Sequence, residues 1–183
     1  MSGTLEPRDV LDFWFAAGKK KWFAKDDAFD AEISRRFKAD HEATRDGAYD
    51  AWSESAEGLL ALIILLDQFP RNMYRGMPDM FAADEKAAAM TKLALERKFD
   101  GEVPQAVRQF IYMPLMHSEE LADQELCVKL FKADPTLEEN VPYAVDHRDI
   151  IARFGRFPHR NEVLGRKTTA EEQTFLDDGG FAG

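Results

Sequence analysis

One cysteine, Cys127, stands in the 183 residues. That excludes an internal disulfide and any zinc site built on cysteines. Positive charge is also short, with 24 Lys and Arg against 34 Asp and Glu, a net charge of −10. A chain this acidic lacks the surplus cations that neutralise phosphates, so nucleic acid is not expected as a partner. Anionic membrane surfaces are disfavoured for the same reason. The longest apolar run, Leu59–Leu66, is far too short to span a bilayer. Met1–Pro7 lacks the basic start and apolar core of a signal peptide. A cytoplasmic setting is the expectation that follows.

Several chemistries lack their motif. The sequence has no His-Glu-x-x-His, no phosphate-binding loop, no Gly-x-Gly-x-x-Gly and no serine-nucleophile elbow. The spacing of the four histidines predicts no metal site, and no cofactor is expected. Cys127 lies among apolar residues and reads as inert core. Runs of alternating β-branched residues are missing as well. Gln109–Met113 is the one stretch that resembles a strand, and prolines bracket it closely.

Helical spacing is what the chain does have. The hydrophobic fraction of 45% is that of an ordinary globular protein, and the length suits one domain over 1–183. Pro7 is suited to a first helical position and Gly18 to a stop. Asp26 and Asp27 can cap a helix with Phe29, Ile33 and Phe37 on one face. Residues 56–69 are apolar nearly all round, which predicts the most buried helix, closed by Pro70. Further helices are expected after Asp84, Pro104, Pro114 and Asp134-Pro135. Two overlapping Thr-x-x-Glu boxes, Thr168/Glu171 and Thr169/Glu172, open the last one. The pattern predicts an all-α chain of roughly seven to nine helices, with 177–183 frayed.

A basic island breaks the acidic background. Residues 147–167 hold six Lys and Arg against two acids, a local +4, together with His147 and His159. Candidate ligand-binding residues are Arg71, Arg75, His117, Glu119, Arg156, His159 and Arg160, with Asp67, Gln124, His147 and Asn161 in support. Asp67 ends the apolar helix, where a carboxylate would pair with Arg71 or Arg75. His117 either precedes a helix capped by Ser118 or shares a face with Leu121, Gln124, Val128 and Phe131, where it would need a partner. His147 shares a helix face with Tyr143, Ile151 and Phe154. Asn161 can cap a short helix beside Arg156 and Arg160, an arrangement suited to an anion.

Several motifs resemble the uncharacterised domain-of-unknown-function family nine-twenty-four. They are Val10–Phe15, Leu65–Asn72 with Tyr74–Gly76, Met113–Leu115, His117–Glu119, Asp123–Glu125 and Phe154–Asn161, within about residues 8–176. Met73 and Met77 depart from the family's pattern. The resemblance implies a tetratricopeptide-like α-α superhelix and no particular activity. Whether the chain is an enzyme stays open. Three readings follow. One is a pocket for a small anionic molecule, with the arginines and histidines converging on it. Another is a module that clamps a peptide carboxylate. In the third, the island pairs only with the protein's own acids.

Overall fold

The computed structural model describes residues 5–181, and these are helical without any strand. They fall into two compact units. The first comprises residues up to Arg75 together with Asp79–Pro114, and the second Gly76–Pro78 with Leu115 onward.

In the first unit, α1 (Pro7–Ala17) opens with Pro7, where a missing N–H costs nothing. The Asp9 carboxylate takes the Glu6 N–H at 2.9 Å. Gly18, at φ 72°, ends α1 and leads into α2 (Lys19–Trp22). In α3 (Asp27–Arg45) the Asp26 carboxylate caps Ala28 N and Phe29 N. Phe29, Ile33, Phe37 and His41 recur every fourth residue as its buried face. Phe29 and Phe37 meet Trp14 and Phe69, with ring centroids 6.0 and 4.8 Å apart.

The apolar stretch forms α4 (Ala56–Ile63), capped by Ser55. Gly58 is required here, because a Cβ would meet Trp52 O at 2.2 Å. Residues 58–70 are buried without a break, as their composition predicts. The helix does not stop at Pro70. It widens into a π turn over Ile64–Gln68 and continues as α5 (Phe69–Met73). Phe69 N–H reaches Ile64 O, five residues back. In that register Pro70 would serve Leu65 O, and proline has no N–H to give. His41 Nδ1 donates to that oxygen instead, at 2.8 Å. The π turn thus carries the helix past a proline that would otherwise end it.

Next come α6 (Asp84–Glu96) and α7 (Gln105–His117). Gln109–Met113 is therefore helix, and Pro114 lies inside α7 rather than starting a new element. The last three residues of α7 belong to the second unit. That unit also holds α8 (Leu121–Ala133), α9 (Val141–Phe154) and α10 (Ala170–Asp177). His117 ends one helix and Leu121 begins another, so the two do not share a helix face. Thr136 forms no box with Glu139. Its N–H and hydroxyl both go to Asp134. Of the two Thr-x-x-Glu pairs, Thr169/Glu172 forms the capping box. Its partner Glu171 turns out to Arg153 at 2.9 Å.

Candidate functional site

The predicted residues divide between the units. Arg71 and Arg75 lie in the first, and its own carboxylates hold them. Arg71 makes a two-pronged pair with Asp84 at 3.0 and 3.1 Å, and its Nη1 also donates to Asp67 O at 2.7 Å. The fully buried Asp67 carboxylate lies 3.3 Å from Arg71 and accepts from Gln68 Nε2 at 2.6 Å. The expected Asp67–arginine pairing is therefore present, with Arg71 as the partner. Arg75 binds Asp30 through Nε and Nη2 at 2.9 and 3.2 Å.

The second unit brings together His117, Glu119, Gln124, His147, Arg156, His159, Arg160 and Asn161. The turn between α7 and α8 sits at the centre. Gln124 Nε2 donates to Met116 O and Ser118 O, at 2.7 and 2.6 Å. Arg160 Nη2 donates to His117 O at 2.9 Å, and its guanidinium lies 4.6 Å from the Phe157 ring. Ser118 Oγ bonds Asp123 at 2.9 Å and accepts from Glu120 N at 3.2 Å, which fixes the start of α8.

Two carboxylates tie this turn to the loop after α9. Glu119 accepts from Arg166 Nη1 and Nη2 at 2.7 and 3.0 Å and from Phe157 N at 2.8 Å. Burial would raise its pKa, but the Arg166 and Phe157 hydrogen bonds outweigh it and hold the carboxyl below its usual value. Glu172 accepts from Arg156 Nε and Nη2 at 2.6 and 2.8 Å, Asn161 Nδ2 at 3.2 Å and Thr169 N at 2.8 Å. The Arg156 hydrogen bonds pull its pKa down to about 2. Arg166 Nε donates to Asn161 Oδ1 at 3.0 Å, which joins the two sets. Asn161 thus acts as a link between ion pairs rather than a helix cap. Arg166 and Glu172 are the members that spacing alone did not single out. Glu172 was visible only as the third residue of a capping box, and Arg166 only as one charge among six.

The histidines flank this network. His147 Nδ1 donates to Tyr143 O at 2.8 Å. His159 has its Nδ1 buried without a hydrogen-bond partner. Burial, then the neighbouring Arg160 and His147, push its pKa down to about 4, so the ring is neutral at pH 7. Cys127 is buried, and that burial raises its thiol to about 12, far from a thiolate nucleophile. Among the described residues no three His, Cys, Asp or Glu side chains gather as a metal site requires. No described helix is long and apolar enough to cross a membrane. A groove of about 390 Å³ lies in the first unit beside Phe13 and Phe29. Its own cations cover those rings, with Arg36 4.5 Å from Phe13 and Lys21 5.2 Å from Phe29.

The arrangement is that of an all-helical protein whose signature arginines are turned inward. The chain belongs to the family described as "Bacterial protein of unknown function (DUF924)", whose model matches residues 10–180. It is similar to a solved structure of a protein of unknown function from Agrobacterium tumefaciens. The two are 43% identical, with a TM-score of 0.87 over 94% of this chain and 97% of that one. Among curated proteins nothing matched.

Proposed function

We propose that the arginine–histidine segment is the internal clamp of a helical binding domain, and not a catalytic or anion-receiving centre. The observation that carries this reading is the saturation of Glu119 and Glu172. Each meets a guanidinium through two hydrogen bonds and takes at least one backbone N–H besides. An arginine committed in this way offers no free two-pronged face to a phosphate or carboxylate. The clamp's role is positional. It fixes the α7–α8 turn against the loop after α9, two segments far apart in sequence. The tetratricopeptide-like superhelix implied by the resemblance would suit a binding domain of this kind. The lone buried Cys127 fits a reducing, cytoplasmic setting.

The test is the double variant Arg156→Ala/Arg160→Ala, melted in sulfate and in chloride at matched ionic strength. Sulfate raises the melting temperature of most proteins by exclusion from their surface, so only a variant-dependent difference is informative. A clamp predicts a lower melting temperature in both salts and an unchanged sulfate response. A double variant as stable as the wild type that has lost its sulfate response would establish the anion-binding reading instead.

A further inference from the structure

The segment after α10 is placed with care. Gly179, at φ 82°, donates its N–H to Leu176 O at 3.2 Å, and Gly180 donates to Phe175 O at 2.9 Å. A Cβ at Gly180 would lie 2.5 Å from both the Phe175 ring and its carbonyl oxygen, so only glycine can follow this path. The path delivers Phe181 onto two imidazoles. Its ring centroid is 4.5 Å from His147 and 5.0 Å from His159, the latter edge to face. Phe157 completes the slot, 5.5 Å from His147 and 5.6 Å from His159.

Phe181 fits this slot only in part. It remains 38% exposed, which is high for a ring whose task is core packing. A phenyl group also has no hydrogen-bonding edge, while Nδ1 of His159, in the wall of the slot, is buried without a partner. Buried polar atoms are normally satisfied, and an exception calls for an explanation. We propose that Phe181 is a removable plug, and that the slot formed by His147, Phe157 and His159 takes a planar heteroaromatic ligand with a hydrogen-bonding edge. Both ring faces and a neutral imidazole favour an uncharged ring over an anion. The neighbouring guanidinium groups are already bound to the chain's own oxygens, which points the same way. This inference stands apart from the clamp, since none of the clamp's carboxylates takes part in the slot.

The experiment uses the full chain and adenine as the probe. Affinity is measured by calorimetry, and the imidazole resonances of His147 and His159 are followed by NMR. Phe181→Ala empties the slot directly. Gly180→Ala unseats the same ring by denying the segment its path, and leaves the phenyl in the chain. Each variant should bind adenine at least about tenfold tighter than the wild type, a change of 1.4 kcal/mol, and shift both imidazoles on binding. Adding His159→Phe to Phe181→Ala keeps an aromatic wall but deletes the polar atom, and should abolish the gain. A gain below tenfold in a folded variant, or a gain that survives His159→Phe, overturns the proposal. If circular dichroism shows Phe181→Ala unfolded, Gly180→Ala decides. If both are unfolded, Phe181 is core and the plug does not exist.

Discussion

Leu62 in the first unit and Glu172 in the second are both almost wholly hidden from water, at 0 and 2% exposure. They are hidden for opposite reasons. Leu62 sits in an unbroken apolar stretch where burial itself is the driving force, and nearly any neighbour of the right size would serve. Glu172 is buried only because Arg156, Asn161 and Thr169 meet its oxygens. Removing a methylene from the first site leaves a void, whereas removing one partner from the second leaves a stranded charge. The first unit should therefore respond to changes of volume, and the second to pH and to the loss of single hydrogen-bonding groups.

The comparison can be broken or sharpened by four measurements, in falling order of effect. Leu62→Ala and Leu66→Ala should each cost roughly 2–5 kcal/mol in urea denaturation. A loss below about 0.5 kcal/mol at both would show that the apolar stretch is not the core of the first unit. Glu119→Ala strands Arg166 and the Phe157 N–H. It should cost about 2–4 kcal/mol at pH 7, somewhat less than a fully buried pair, because both side chains keep about a quarter of their exposure. Equal stability of Glu119→Ala and wild type would remove the clamp.

His159 supplies the third test. Its folded pKa is lowered from 6.5 to about 4, so the unfolded chain binds the proton more readily. The stability at stake is complete above pH 6.5 and is lost as pH falls from there towards 4. That loss is roughly 2 kcal/mol between pH 7 and 5. His159→Gln should flatten this part of the pH profile, and a profile that keeps its slope would show that His159 is not buried as described. The buried His41, whose pKa burial also lowers, adds a loss of the same sign in both proteins and does not disturb the difference. The smallest effect is expected at the exposed pair Arg153–Glu171. There Arg153→Gln should change stability by no more than about 0.5 kcal/mol. A larger loss would extend the clamp out to the surface.

Volume and charge were also unequally legible in the sequence. Phe29, Ile33 and Phe37 announce a helix face because periodicity is local, and a reader needs only the neighbours. The run at 58–70 announces burial for the same reason. Its passage beyond Pro70 was hidden, because the donor that replaces the proline's N–H is His41, on another helix. The turn at 118–120 was ambiguous, since Ser118 fits either a cap or a helix interior until Asp123 takes its hydroxyl. In the candidate site the residue types and the convergence of His117–Gln124 with Arg156–Asn161 could be anticipated. The pairing could not. Whether Arg156 faces Glu172 or an external anion depends on where α10 returns, and no spacing rule encodes that return. Phe181 gave no signal at all, as a lone aromatic beyond a helix end belongs to no period.

The π turn at 64–68 has a consequence for insertions and deletions. A π turn is an α-helix with one extra residue, so deleting one residue from Ile64–Gln68 would restore ordinary winding. It would also turn everything downstream by about 100° around the helix axis. Arg71 would swing off Asp84, and Asn72 and Arg75 would both leave Asp30. Pro70 and the ion pairs beyond it thus lock the reading frame of this helix. A one-residue deletion, harmless in most loops, would here misalign three anchors at once.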